Sequence, residues 1–404
     1  MRFCVKNTTS LNYSLANLYE DMSFYDIIQK NDPQQVLNEI EAMTASDVQR
    51  ALAAEQLDNR DYMALLSPAA EDFIEEIARK AHSITLRRFG RTVLLYAPLY
   101  LSNECHNSCL YCGFSVHNKI PRRTLTLDEV EKDARILHDQ GFRHILLLTG
   151  EAPGLIGNDF IAAAAERIRP LFSSIGIEVY PMETEGYKEM VDAGVDALTI
   201  YQETYDPELY AQLHPSGRKR DYRFRLETPE RGGAAGLRRI GIGFLLGLGN
   251  FRSEAFFAGL HGRYLAHHYW RTLLTVSFPR LRPAEGGFQP PHPVSDRQFV
   301  QLLCAMRLLL HDAGLVLSTR ESADLRDNLL PLGITQMSAG SCTAPGGYAE
   351  QGSATEQFTI DDDRTPAEIA DILRSRGYDP VWKDWDGAFL TRDAGKKSEV
   401  RDAR

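Results

Sequence analysis

The stretch Cys105-His-Asn-Ser-Cys109-Leu-Tyr-Cys112-Gly113-Phe114 places three thiols within eight residues. The spacing Cys-x3-Cys-x2-Cys lets one loop surround one side of a small metal cluster, and thiolate is the ligand that iron–sulfur clusters prefer. A cubane cluster has four irons, and the three cysteines of this loop can bind three of them. The sequence therefore predicts a [4Fe-4S] cluster held by Cys105, Cys109 and Cys112, with one iron open to a non-protein ligand.

Two other kinds of site are compatible with three close cysteines. A structural zinc site could use His106 or His117 as its fourth ligand, although such sites usually add a second, distant cysteine pair. A disulfide would leave one thiol over and would need an oxidising compartment. The spacing favours the cluster over both alternatives without excluding either.

The composition indicates one large domain with additions. The chain has 404 residues, of which 43% are hydrophobic and 25% charged, so it can bury a core without disulfides. The net charge of −10 argues against a general nucleic-acid or membrane-surface binder. Apolar runs are too short to span a bilayer, and the N-terminal residues lack the apolar core of a signal peptide. We therefore expect a cytoplasmic protein whose cysteines are thiols or metal ligands.

From Thr92 onward, β-like apolar runs alternate with segments of helical period. Such repetition predicts a parallel sheet, and eight units favour a closed (β/α)8 barrel, the TIM-barrel fold, over an open sheet. Capping boxes at Thr126, Ser295 and Thr365 mark three helix starts. Glycines at 141, 176, 194 and 314 are expected to end helices. The predicted strands are Val93–Leu101, His144–Leu148, Ile177–Pro181, Ala197–Tyr201, Ile240–Leu246, Leu274–Phe278, Leu315–Ser318 and Ile334–Met337.

The segments on either side of the barrel predict additional helices. Residues 1–90 are read as an N-terminal helical extension after a loose lead-in, with Ser67-Pro68 as one helix start. The barrel is assigned to residues 91–341 and a C-terminal helical cap to residues 342–386. In that cap Trp382 and Trp385 are expected to pack back onto the barrel. Residues 387–404 are charged and expected to be disordered.

Polar residues follow most of the predicted strands. In a barrel of this type chemistry takes place at the C-terminal ends of the strands, so these residues predict an active site at one rim. Those used below are Tyr100, Thr149, Gly150, Glu151, Glu183, Arg320, Ser338 and Ser341.

The cysteine loop resembles the radical S-adenosylmethionine (SAM) superfamily. Its three cysteines match the signature of that superfamily, and Tyr111 matches the aromatic residue that lies against the adenine of SAM. The runs Asn118-Lys-Ile120 and Arg123-Thr-Leu-Thr126 narrow the resemblance to the tyrosine lyases. These are the 2-iminoacetate synthases of thiamine biosynthesis and their hydrogenase-maturation relatives.

The resemblance implies roles for the rim residues in binding SAM. Thr149, Gly150 and Glu151 would lie beside the amine of SAM, where glycine permits close approach and a carboxylate complements an ammonium. Glu183 and Arg225 are weaker candidates for its ribose and carboxylate. Each charged residue could instead form an ordinary rim salt bridge.

The same resemblance implies a site for a free amino acid. Arg320 would bind the substrate carboxylate, since arginine is the best bidentate partner. Ser338 and Ser341 would add hydroxyl donors, and Tyr100 would lie over the substrate amine. The alternatives are that Arg320 pairs with Glu321 or another rim acid and that the serines cap a helix.

The implied reaction cleaves the Cα–Cβ bond of L-tyrosine to 2-iminoacetate and p-cresol, with SAM giving methionine and 5′-deoxyadenosine. Implied partners are thiazole synthase, which would take the imine, and reduced flavodoxin or ferredoxin as electron donor. The hydrogenase-maturation relatives carry a second cluster near the C-terminus, whereas here only Cys342 follows Ile334. A tryptophan lyase on the same barrel and a non-enzymatic iron–sulfur scaffold remain alternatives. The loop from His214 to Lys219 is given no role.

Overall fold

The computed structural model describes residues 22–350, 352 and 354–386. The expected lead-in over residues 1–20 and the expected tail over residues 387–404 lie outside the described residues.

Eight parallel strands form a closed barrel, which confirms the predicted fold. The strand order is β2-β3-β4-β5-β6-β7-β8-β1, and β1 also pairs with β2 to close the ring. The barrel strands are β1 (Thr92–Ser102), β2 (His144–Thr149), β3 (Ser174–Glu178), β4 (Ala197–Glu203), β5 (Arg239–Phe244), β6 (Leu273–Ser277), β7 (Gly314–Leu317) and β8 (Gln336–Ser338). A further strand, β9 (Asp379–Val381), lies outside the closed ring.

Helices surround the barrel. Four of them, α2, α4, α12 and α13, pack together on its outer side and join the N-terminal helices to the barrel. The helices are α1 (Phe24–Ile28), α2 (Pro33–Glu41), α3 (Ala45–Ala53), α4 (Asn59–Leu66), α5 (Ile74–Phe89), α6 (Leu127–Asp139), α7 (Asn158–Ile168), α8 (Thr184–Asp192), α9 (Pro207–Leu213), α10 (Tyr222–Leu226), α11 (Thr228–Ala234), α12 (Phe251–His268), α13 (Asp296–Leu309), α14 (Ala323–Leu329) and α15 (Pro366–Ser375).

The predicted helix starts are largely confirmed. Thr126, Ser295 and Thr365 each form a capping box with the residue three positions on. Ser67 is an exception: it precedes a 3₁₀ helix over Pro68–Phe73, and its hydroxyl donates to the Ala64 carbonyl instead of capping. The regular helix α5 begins only at Ile74.

The third strand lies earlier in the chain than predicted. It covers Ser174–Glu178, whereas the apolar run predicted Ile177–Pro181. The difference arises because Val179 and Tyr180 are buried after the strand has ended, so hydrophobicity does not mark its end.

Two of the four glycines predicted to end helices lie in strands instead. Gly141 and Gly194 do follow helices, with φ of 108° and 100°. Gly176 and Gly314 belong to β3 and β7. A Cβ on Gly176 would lie 3.1 Å from Leu146 Cδ1, so close packing between strands favours glycine there.

The C-terminal segment contributes a ninth strand that the sequence pattern did not predict. Strand β9 pairs in parallel with the first residues of β1, at the end of the barrel opposite the cysteine loop. The tryptophans pack onto the barrel as expected. The ring of Trp382 lies 5.3 Å from that of Phe142, and the Arg238 guanidinium stacks 4.5 Å from the ring of Trp385.

The barrel interior contains small and polar side chains and a cavity of about 40 Å³. Its lining includes Tyr96 of β1, Thr199 and Tyr201 of β4, and Gly241 of β5. The interior therefore leaves room beneath the predicted active-site rim. No helix among the described residues is long and apolar enough to cross a membrane.

Candidate active site

The cysteine loop leaves the C-terminal end of β1, and Arg122 fixes its shape. The Arg122 guanidinium donates to the carbonyl oxygens of Asn103, Phe114 and Ser115 at 2.6, 2.8 and 2.7 Å. Asn118 donates to the carbonyls of Cys112 and Gly113 at 3.2 and 3.0 Å. Because side chains satisfy these carbonyls, the loop is held in position by the protein itself.

The three thiols in this loop suit a cluster. Cys105, Cys109 and Cys112 are all free, so the disulfide alternative is not supported. Burial raises the pKa of Cys109 to about 12 and also raises the pKa of Cys112. Ionised thiolates there need nearby positive charge, which the irons of a cluster supply. Among the described residues, no group of three His, Cys, Asp or Glu side chains is placed to hold a single metal ion, which gives the zinc alternative no support.

The end of β2 is joined directly to the cysteine loop. The amide of His106 donates to the Glu151 carbonyl at 2.9 Å, and the Asn107 amide group donates to the Glu151 carboxylate at 2.7 Å. A Cβ on Gly150 would lie 2.2 Å from the Glu104 carbonyl oxygen, so only glycine fits there. Glu151 is thus held against the loop, and its only ion pair in the described chain is a 3.8 Å contact with the exposed Arg218.

A cavity of about 580 Å³ opens beside this junction. Three residues predicted to bind the cofactor, Glu151, Glu183 and Arg225, line it together. Glu183 is exposed and lies directly before α8. It is five residues beyond the end of β3, which ends earlier in the chain than predicted. Thr149 is oriented differently, since its hydroxyl donates to the Gly150 carbonyl at 3.0 Å.

Tyr111 is buried and held by His214. The Nδ1 atom of His214 lies 2.8 Å from the Tyr210 carbonyl and must carry a proton to bond it. Burial lowers the pKa of His214 to about 3, so the ring is neutral and Nε2 accepts from the Tyr111 hydroxyl at 2.8 Å. The tyrosine ring is therefore fixed between the cysteine loop and the loop after α9.

Sequence reasoning missed the loop from His214 to Lys219. Lys219 donates to Glu203 at 2.6 Å, and Arg225 lies 3.3 Å from the same oxygen. Burial raises the pKa of Glu203, but Lys219 and Arg225 more than offset it, so that the pKa lies below its ordinary value. Glu203 has φ of 72° beside an irregularity in β4, a costly conformation for a residue other than glycine. The basic run after Gly217 was the sequence signal for this cluster.

The predicted substrate residues lie at the mouth formed by β7, β8 and β1. The Arg320 guanidinium stacks 3.4 Å from the ring centroid of Phe358, whereas Glu321 pairs with Arg280. The alternative in which Arg320 pairs with Glu321 is therefore wrong. Ser338 Oγ accepts from the Thr319 amide at 3.1 Å, so it is already engaged.

Two further predicted contacts have different surroundings. Ser341 Oγ is buried and has no hydrogen-bond partner among the described residues. The Tyr100 hydroxyl donates to Gln357 Oε1 at 2.7 Å, and Gln357 Nε2 lies 3.8 Å from Cys112 Sγ. Tyr100 thereby links the mouth of the barrel to the cysteine loop.

Glu178 is a second residue that sequence reasoning missed. It is the last residue of β3, and burial followed by the charge of Glu203 raises its pKa to about 7. The signal was a lone acid in the apolar run Ile177-Glu178-Val179, which was read as a continuous buried strand. Perturbed carboxylates in such positions mark candidate functional groups.

Comparisons with known proteins identify the family. Residues 99–255 match the Radical SAM superfamily, and residues 277–379 match the Biotin and Thiamin Synthesis associated domain. The 2-iminoacetate synthase of Escherichia coli (strain K12) is 45% identical over 92% of this chain and 98% of its own. The chain belongs to the 2-iminoacetate synthase family. The enzyme from Salmonella typhimurium (strain LT2) is 47% identical over 90% of this chain and 95% of its own.

A 2-iminoacetate synthase of this family is a radical SAM enzyme that uses a [4Fe-4S] cluster and SAM. The resemblance drawn from the cysteine motif is thereby confirmed. Among solved structures, the [FeFe]-hydrogenase maturase HydG is similar with a TM-score of 0.84 and 30% identity, over 90% of this chain and 84% of that one. The synthases match this chain at higher identity than the maturase does.

Proposed function

We propose that this member of the family cleaves the Cα–Cβ bond of L-tyrosine to 2-iminoacetate and p-cresol. The observation that carries the proposal is the position of Arg320 at the barrel mouth, near Tyr100, which is linked through Gln357 to Cys112. An amino acid carboxylate bound there would lie close to the cysteine loop. The identity of 45% to a 2-iminoacetate synthase over nearly the whole chain supports the same reaction.

The residues around the cysteine loop are assigned to the cofactors. Cys105, Cys109 and Cys112 would hold the cluster, and the cavity beside Gly150 and Glu151 would take SAM. When bound, cluster and SAM together supply a radical that removes one hydrogen atom from the substrate.

The protein positions SAM through groups that are already fixed. Glu151 would accept from the amine of SAM, because its carboxylate is held by Asn107. Tyr111 would lie against the adenine, with its ring fixed by His214. Glu183, Arg225 and Thr149 complete the proposed set of cofactor contacts.

The residues on the other side of the mouth are assigned to tyrosine. Arg320 would bind its carboxylate in a bidentate manner, and the free hydroxyl of Ser341 would add a hydrogen bond. Ser338 would hold the chain beside Arg320, since its own hydroxyl accepts from the Thr319 amide. Tyr100 would cover the amino group and exclude water.

We also propose that the imine passes to thiazole synthase, because water hydrolyses a free imine. Reduced flavodoxin or ferredoxin would supply the electron, and the reaction would take place in the cytoplasm, where thiols stay reduced. The net charge of −10 leads us to expect neither a nucleic acid nor a membrane surface as a partner. Only Cys342 follows Ile334, so the second cluster of the hydrogenase-maturation enzymes has no comparable ligand set here.

Anaerobic incubation of the reconstituted protein with SAM, dithionite and tyrosine tests the proposal. We expect p-cresol, glyoxylate from hydrolysed imine, and 5′-deoxyadenosine. An Arg320→Gln variant should lose p-cresol, whereas Arg374→Gln, on the exposed face of α15, should not. Turnover of tryptophan in place of tyrosine would overturn the substrate assignment, and SAM-independent cluster spectra would overturn the enzyme assignment.

A further inference from the structure

Two charged side chains of opposite sign, each partly buried, face the same space at the barrel mouth. Glu178 ends β3 and Arg320 follows β7, and these strands lie four positions apart around a ring of eight. The two side chains therefore project from opposite walls. Arg320 is the cation that most strongly offsets the raised pKa of Glu178, ahead of Arg225 and Lys219.

Neither charge has an ionic partner in the described part of the chain. Neither the Glu178 carboxylate nor the Arg320 guanidinium forms a hydrogen bond or ion pair there, and the guanidinium stacks on the ring of Phe358. Other charges nearby are paired: Glu203 with Lys219, and Arg280 with Glu321. A partly buried charge without a partner costs free energy, so two facing ones indicate a ligand that compensates both.

The position of Glu178 connects it to the cysteine loop. Strand pairing aligns Tyr100 with Leu148 and Leu148 with Glu178, which places the three at one level of the barrel. Tyr100 and Leu148 pack with Phe114 against Cys105 and Cys112. A group held by Glu178 would therefore lie at the level of the residues that cover the cluster site.

Three tyrosines lie near both charges. Glu178 and Arg320 both interact electrostatically with the hydroxyls of these tyrosines, Tyr96, Tyr100 and Tyr201. Burial raises the pKa of all three hydroxyls. These hydroxyls therefore stay protonated and carry no charge that would offset Glu178 or Arg320. The wall between Arg320 and Glu178 is thus aromatic and uncharged, which suits an amino acid lying across it.

We propose that Glu178 receives the amino group of the substrate while Arg320 receives its carboxylate, so that the two residues together recognise the zwitterion. This assignment rests on the proposed function as an amino acid lyase. An ammonium satisfies an ionised carboxylate in a way that a neutral phenol does not. The opposite charges of Arg320 and Glu178 also favour a ligand that presents its carboxylate to Arg320 and its ammonium to Glu178.

Binding of four ligands to the anaerobic, reconstituted holoenzyme with SAM tests the proposal. Each ligand apart from tyrosine lacks one group: 3-(4-hydroxyphenyl)propanoate lacks the amine, tyramine lacks the carboxylate, and phenylalanine lacks the phenol hydroxyl. Dissociation constants are measured for the unmodified protein, Glu178→Gln and Arg320→Gln. Glu185→Gln, an exposed carboxylate in the first turn of α8, is the matched control. Iron content and thermal melting confirm that each variant is folded.

The unmodified protein should prefer tyrosine over 3-(4-hydroxyphenyl)propanoate by about tenfold or more, as expected of a buried charge pair. Glu178→Gln should abolish the preference for tyrosine over 3-(4-hydroxyphenyl)propanoate but keep the preference for tyrosine over phenylalanine. Arg320→Gln should abolish the preference for tyrosine over tyramine. Glu185→Gln should change none of these three preferences. If Glu178→Gln abolishes the preference over phenylalanine, or leaves the amine preference intact, the assignment is overturned. Failure of the unmodified protein to bind or convert tyrosine would instead overturn the proposed function.

Discussion

The ammonium of Lys219 lies 2.6 Å from the Glu203 carboxylate, and both side chains are almost completely buried. This pair joins the loop after α9 to the end of β4, directly beneath Tyr111, whose ring centroid lies 5.6 Å from the Lys219 ammonium. Glu203 also has a strained backbone, with φ of 72°. A loop that the sequence left without a role therefore fixes one wall of the proposed SAM cavity.

Replacing Lys219 by methionine should weaken SAM binding by about tenfold or more, because Glu203 would keep only the 3.3 Å contact with Arg225. Titration of the reconstituted enzyme with SAM measures the effect. Lys188→Met, which breaks the exposed 2.8 Å pair with Glu185, is the control and should bind SAM normally. Equal effects of the two substitutions would contradict a specific role for Lys219.

Replacing Gly150 by alanine should displace the cysteine loop. The new Cβ would lie 2.2 Å from the Glu104 carbonyl oxygen and 3.0 Å from Cys105 Cβ, so the backbone must shift. We expect lower iron retention and a loss of SAM-dependent 5′-deoxyadenosine of about tenfold or more. Gly154→Ala is the matched control, since its Cβ would meet no atom within 4 Å. Normal iron content and activity in Gly150→Ala would show that the loop tolerates the shift.

Serine at Cys105, Cys109 or Cys112 should abolish the [4Fe-4S] cluster, because a hydroxyl is a poor ligand for iron at neutral pH. Iron and sulfide analysis and the visible absorption of reconstituted protein measure this. Cys304→Ala and Cys342→Ala should retain a full cluster, since Cys304 is buried in α13 and the Cys342 thiol faces the Ala344 carbonyl. Loss of iron in the Cys342 variant would reveal a fourth protein ligand and contradict the open iron.

Sequence reasoning predicted the barrel well because each strand signal is local. Apolar runs, capping boxes and the cysteine spacing each depend on neighbouring residues, and tertiary packing agrees with them. The end of β3 was predicted wrongly because Val179 and Tyr180 are buried although they follow the strand, so burial there does not indicate strand pairing. Strand β9 was missed because three residues, Asp379–Val381, are too few for a periodic signal.

The site was predicted only in part, and the missed residues act across distances that a sequence does not show. Arg320, Glu151 and Tyr111 stand next to recognisable motifs. Glu178 and Lys219 do not, because their importance comes from charges on other strands: Glu178 faces Arg320, and Lys219 faces Glu203. A single acidic residue within an apolar run can therefore indicate a functional group at the end of a strand.

The pH dependence of stability should separate Glu178 from a carboxylate with bonded partners. Burial raises the pKa of Glu178 from 4.5 to about 7. Since this pKa is higher in the folded than in the unfolded protein, the native state loses stability as pH rises from about 5 to 7. Glu178→Gln cannot ionise, so its melting temperature should exceed that of the unmodified protein by a margin that grows over this range. The corresponding gain in unfolding free energy is at most about 3 kcal/mol. The charged and titratable groups that face Glu178 are Glu203, Arg320, Arg225, Lys219, Tyr96, Tyr100 and Tyr201.

Glu254 provides the matched comparison, because burial also raises its pKa to about 7. Its carboxylate accepts from the Thr204 hydroxyl and from the Tyr205 amide, so Glu254→Gln should lower the melting temperature by disrupting these bonds. Calorimetry of the SAM-free protein between pH 5 and 8 measures both differences. A stabilised Glu178→Gln that has also lost its preference for the amino group of tyrosine would show that the unpaired charge is kept for binding at the expense of stability. A destabilised Glu178→Gln would show instead that its carboxylate supports the fold.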